Sequence, residues 1–184
     1  MLKSTKLKNT LLVGTTTILV SCGGQNEIKM GSYAYDAEFL KKHGIEYTEL
    51  VSADGNSKVM VIPAWQGRVM TSSASGDEGD SFGWINYRFI DKGEISTQFN
   101  PVGGEERFWL GPEGGPFSLY FKGGQEQVYD NWVVPAVLDT EPFKVEAQNE
   151  SSIRFVKDTR LTNASGTTFD INIDRIVSLM DADK

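Results

Sequence analysis

The chain has 184 residues, 19 of them glycine, with one cysteine, one histidine and a formal charge of −7. That count excludes a metal centre built from imidazole and thiolate ligands, and the acidic balance excludes nucleic acid as a partner, because phosphate backbones repel an acidic body. With no second cysteine there is no internal disulfide, so the fold rests on a core that a chain of this length can bury in one domain.

Residues 1–10 carry Lys3, Lys6 and Lys8 and no acid, and residues 11–20 (LLVGTTTILV) form a short apolar run ending at Ser21-Cys22. A membrane span needs about 20 apolar residues, so residues 1–21 read as a signal peptide. Leu19-Val20-Ser21-Cys22 resembles the bacterial lipobox, which predicts that Cys22 is acylated and becomes the first mature residue. Residues 22–31 then form a polar, glycine-bearing tether. The other reading, a secreted protein with a free thiol, is an odd choice for an oxidising compartment. The expected address is the cell envelope, lipid-anchored to the outer membrane on its periplasmic face. Cleavage removes three lysines and takes the formal charge to −10.

Residues 32–184 read as a single domain. Residues 32–43 predict one short helix, with Ser32 as its cap, Lys41, Lys42 and His43 at its C-terminal end, and Gly44 as the left-handed stop. Residues 45–51, 58–62 and 68–74 are strand-like runs at the spacing of an antiparallel meander. Residues 82–90 (FGWINYRFI) fit strand or short helix equally. Residues 103–124 (GGEERFWLGPEGGPFSLYFKGG) predict two short strands, 108–110 and 117–121, joined by a tight Gly/Pro loop. Another strand is expected at 143–147. Residues 152–161 and 169–179 predict a long hairpin whose apolar positions alternate onto one buried face. Short strands, frequent glycine and one N-terminal helix argue for an all-β antiparallel β-sandwich.

Three motifs are weak. Gly79-Asp80-Ser81-Phe82-Gly83 matches the turn that exposes a nucleophilic serine, but the only histidine, His43, lies upstream of it at a helix end. Asp170, Asn172 and Asp174 look like the start of a calcium loop, yet Arg175 stands where glycine is needed and the intervening isoleucines point inward. They read as the solvent face of a strand. Gly111 to Gly115 lacks the lysine of a phosphate loop. No cofactor and no metal are expected, with carboxylate-and-water calcium binding left open.

The site candidates are Glu105, Glu106, Arg107, Trp109, Glu113 and Trp84. Charges beside aromatics must be paired or put to use. Carboxylates and a guanidinium hydrogen-bond sugar hydroxyls, and an indole stacks on the C–H face of a pyranose. The alternative is an ion pair from Arg107 to a glutamate that orders the loop, with the aromatics as core.

The stretch from Asn100 to Gly115, together with Phe82 to Asn86 and Asp139 to Phe143, resembles an uncharacterised family of secreted proteins common in Bacteroidetes and related to the galactose mutarotase-like (aldose epimerase) superfamily. The resemblance covers residues 33–180. It implies a β-supersandwich whose concave sheet receives carbohydrate. Members of that family look about twice this length, so the chain resembles their N-terminal half and is expected to be truncated at its C-terminus. The mutarotase histidine and glutamate have no matching positions: His43 lies outside the motif, and the glutamate is expected beyond Lys184. Three functions are therefore expected in order: a lipid-anchored carbohydrate-binding protein, a sugar epimerase or glycoside-processing enzyme, and a structural envelope lipoprotein.

Overall fold

The computed structural model describes residues 28–180; the expected signal peptide and the expected acylation of Cys22 fall outside them. Helix α1 (Tyr33–Lys42) begins where expected, with Ser32 Oγ accepting from the Tyr35 N–H at 3.2 Å, and ends at His43, followed by Gly44 at φ +69°. The meander follows as β1 (Thr48–Val51), β2 (Lys58–Ile62) and β3 (Arg68–Ser73), antiparallel in the order β1-β2-β3. Its register shifts between Met60 and Val61.

Both faces of this sheet are covered. Met60, Ile62 and Met70 pack with Tyr33 and Leu40 of α1, whereas Leu50 and Val61 join a second core with Phe143, Ile153 and Phe155. The open segment 82–90 resolves into both structures that it fits. Strand β4 (Trp84–Ile85) is followed by helix α2 (Tyr87–Lys92), whose Asn86 cap accepts from the Phe89 N–H. A two-residue strand, β5 (Gly103–Gly104), pairs with β4. The last sheet is β6 (Lys144–Gln148), β7 (Ser152–Thr162) and β8 (Thr168–Ser178) in that order, all antiparallel. The fold is all-β: the meander and the last sheet enclose the larger core in a sandwich-like arrangement, and α1 closes the other face of the meander.

Two expectations are corrected. Residues 108–110 and 117–121 are not strands. The chain there is irregular, with positive φ at Gly103, Gly104, Gly115 and Gly124 and prolines at 112 and 116 that donate no hydrogen bond. Isolated bonds replace a ladder: the Leu119 N–H donates to Pro112 O, Val133 to Tyr120 O, Ala164 to Ser118 O, and the Tyr120 hydroxyl to Leu110 O. The apolar residues reach the core one side chain at a time. The hairpin face is also buried only from its base to its middle, at Ile153, Phe155 and Ile173, while Phe169 near the turn is exposed.

Candidate functional site

Arg68 opens β3 fully buried, directly after Gln66 and Gly67, which both take left-handed φ. Its Nη1 donates to Gly103 O at 2.7 Å and its Nη2 to Gln66 Oε1 at 3.1 Å. Such an approach needs a glycine opposite, since a Cβ on Gly104 would lie 2.7 Å from Arg68 Cδ. Burial, then the charge of Arg107, brings the Arg68 guanidinium down to about 10, against the pull of Glu106 and Asp139. A group of charges thus collects where β3 meets the 103–107 segment.

The structure brings some of the expected site residues together and separates others. Arg107 Nη2 donates to Leu138 O at 2.8 Å and to Asp139 Oδ1 at 2.7 Å. Its guanidinium lies 4.5 Å from the Trp109 ring and 4.7 Å from that of Phe99. Trp109 stacks on Tyr120 at 5.2 Å, and its Nε1 donates to Glu113 Oε1 at 2.7 Å. Arg107, Trp109 and Glu113 therefore form one contiguous unit. Glu106 does not pair with Arg107: its Oε1 accepts from the Val69 N–H at 2.8 Å and from Arg175 Nη2. Glu105 uses its backbone N–H on Val69 O and leaves its side chain exposed. Trp84, exposed on β4, sits opposite Gly104 and makes no ring contact with Trp109 among the described residues.

Sequence reasoning missed Asp139, Asn100 and Arg175. Asn100 Nδ2 donates to Asp139 Oδ2 at 2.7 Å and Arg107 to Oδ1, so two side chains satisfy the two oxygens of this carboxylate. Arg175 had a signal: it occupies an apolar phase of an alternating strand, where a charge demands a partner.

Asn100 and Asp139 also line a groove of 440 Å³ between the C-terminal ends of α1 and α2. Trp65, Phe89 and Ile90 give it apolar walls, while His43 and Asp91 stand among the polar ones. His43 Nδ1 lies 2.8 Å from Phe39 O and its Nε2 3.2 Å from Asp91 Oδ1. A carbonyl only accepts, so Nδ1 carries a proton, and Nε2 donates to Asp91 only when the ring is doubly protonated. The groove has a size and a mixture of surfaces suited to a small polar ligand.

A family model described as a family of unknown function (DUF6786) matches residues 31–184. The chain belongs to this family. Comparison with curated proteins and with solved structures gave no match. The matched stretch of this DUF6786 member takes in both cores, the Arg107 unit and the groove.

The Ser81 turn of this DUF6786 member has a structural job. Ser81 Oγ donates to the buried Asp36 carboxylate and shares a hydrogen bond with Thr71 Oγ1, and the Tyr87 hydroxyl donates to the other Asp36 oxygen. Burial, then Asp36, pushes the Tyr87 phenol up. Helix α1, β3 and α2 are thereby joined through one carboxylate. The only histidine points to Phe39 O and Asp91 instead, so Ser81 has no imidazole base.

Proposed function

We propose that this DUF6786 member is a lipid-anchored carbohydrate-binding protein of galactose mutarotase-like fold, and that the sugar occupies the groove between α1 and α2. The observation that carries the reading is the lining of that groove, where Trp65 and Phe89 stand with His43, Asp91, Asn100 and Asp139. A pyranose has one C–H face for an aromatic ring and a rim of hydroxyls for polar groups, so this mixture matches it. The resemblance of residues 100–115 to mutarotase-related proteins supports the same class of ligand. Arg107 contributes through Asp139: it holds the carboxylate in the groove wall and touches no sugar itself. Trp109 and Glu113 support Arg107 in turn.

A second reading, a sugar epimerase, is favoured by one observation, the proximity of His43 Nε2 to Asp91 in the same groove. An imidazole beside a carboxylate supplies a general acid and a general base, the pair that opening and reclosing a sugar ring requires.

A panel of mono- and oligosaccharides screened by thermal shift on the full acylated chain tests both. A hit whose affinity falls about tenfold in Trp65→Ala or Asp91→Asn, a loss of about 1.4 kcal/mol, with an unchanged circular dichroism spectrum, supports binding in the groove. No hit across the panel sinks the proposal and leaves an envelope protein without a sugar ligand. Interconversion of sugar anomers, followed by NMR and lost in His43→Gln, would establish the epimerase.

A further inference from the structure

The chain enters the body of the protein beside the Ser81 turn. The Ser81 N–H donates to Gly31 O at 2.9 Å, Ser32 and Asp80 form an antiparallel bridge, and Lys29 Nζ reaches Asp80 at 3.4 Å. Next to this junction stand three large apolar side chains: Met30, 73 % exposed, Phe82, 62 %, and Trp84, 63 %. Gly83, between the last two, is pressed against the meander, where a Cβ would lie 2.1 Å from Met70 O. The chain bends at Gly83 just before β4. Phe82 and Trp84 flank this close approach, and both side chains stay exposed.

The position of the anchor says what covers this patch. Acylation of Cys22, the reading on which this inference rests, leaves six residues from the lipid to Ile28. Fully extended they reach about 20 Å at most. No face of the protein is tied closer to the bilayer than the one where residues 28–31 dock, and that face displays a tryptophan and a phenylalanine. Aromatic rings of this kind settle at the level of lipid headgroups. Asp77, Glu78 and Asp80 on the same loop, with the acidic balance of the whole chain, oppose attraction to anionic lipid. The contact is therefore apolar and not electrostatic.

We propose that Met30, Phe82 and Trp84 form a membrane-contacting patch that seats this face in the bilayer interface to which Cys22 ties the protein. The patch adjoins the N-terminal end of α1 and the groove its C-terminal end. Ten helical residues place them about 15 Å apart along the helix. The groove thus lies about one helix length from the patch.

The test uses the full acylated chain in zwitterionic phosphatidylcholine vesicles carrying bromine on their acyl chains. Bromine should quench the wild-type tryptophan emission, the Trp84→Phe variant should lose most of that quenching, and high salt should leave it unchanged. Labelled palmitate and flotation with the vesicles report the anchor separately. A labelled, floating protein in which wild type and Trp84→Phe are quenched alike overturns the patch and leaves the anchor standing. Absence of label in the wild type, or equal label in Cys22→Ala, overturns both. Shielding of Trp84 from an aqueous quencher without quenching by bromine identifies a second protein chain as the occupant, which also overturns the proposal.

Discussion

Arg107 Nη2 lies 2.7 Å from Asp139 Oδ1, and this pair ties the irregular segment after β5 to the short Ala136–Leu138 turn that leads to the groove wall. The Asp139 side chain is only 4 % exposed, and the guanidinium is covered by the Phe99 and Trp109 rings.

Removing one member of a buried pair leaves the other charge without compensation, which costs about 3–5 kcal/mol. Arg107→Ala should therefore lose about that much in urea denaturation, because Asn100 alone remains on Asp139. The double variant Arg107→Met, Asp139→Leu should lose clearly less, since neither charge is then left behind. A single variant within about 1 kcal/mol of wild type would show that the pair does not hold the segment in place.

Trp109 stacks on Tyr120, which stacks on Trp132 at 5.6 Å with the rings nearly parallel. Trp109→Ala should cost about 3 kcal/mol, the low end for an aromatic truncation in a core, because the indole is only partly buried. Glu113→Gln keeps an acceptor for Trp109 Nε1 and should change stability by less than about 0.5 kcal/mol. Equal losses from the two would mean that the exposed hydrogen bond matters as much as the stack.

Gly67 has φ +63°, and a Cβ there would lie 2.6 Å from the Phe155 ring. Gly67→Ala meets two costs, a left-handed backbone at about 1–2 kcal/mol and an overpacked contact at about 1–3 kcal/mol. Adding Phe155→Leu to Gly67→Ala should recover part of the second cost and none of the first. Thermal midpoints of the single and double variants measure the split, and a double variant worse by the full sum of its parts would contradict the contact.

Alkaline pH should unfold the protein early. Burial is the main cause that pushes the phenols of Tyr33, Tyr87 and Tyr120 above their usual value. In the unfolded chain they ionise near pH 10. Above that pH the unfolded state gives up protons that the folded state keeps, so stability that is full below about 10 falls as pH rises. Arg68 acts in the opposite sense, since burial holds its folded value, about 10, below the ordinary guanidinium value. It is one group against four, because burial raises the Tyr47 phenol as well. The urea midpoint should drop between about pH 9 and about pH 11, with tyrosinate absorbance rising in step with unfolding. A flat midpoint across that range would refute the burial of the phenols.

What the sequence determined by itself was local. Ser32 and Gly44 bound α1 because a cap needs a side-chain acceptor at one end and a left-handed residue at the other. The meander and the final hairpin were legible because alternation and turn residues act within a few positions, and Asp170 and Asp174 read correctly as a solvent face, where they meet Arg160 and Arg154. Tertiary structure decided everything that depends on distant partners. The aromatic run at 108–110 carries strand-forming residues, yet its backbone finds no ladder, because the glycines and prolines around it turn the chain from residue to residue. Arg107 has three glutamates within six positions and pairs with Asp139, 32 positions away; Glu106 pairs with Arg175, 69 positions away. The groove joins His43 and Ile45 just past α1, residues of α2 and the 139–140 turn, which share no period or spacing. Local patterns report where the chain turns and which side of it is apolar. Which charge faces which depends on the packing of whole layers, and no window of neighbouring residues contains that information.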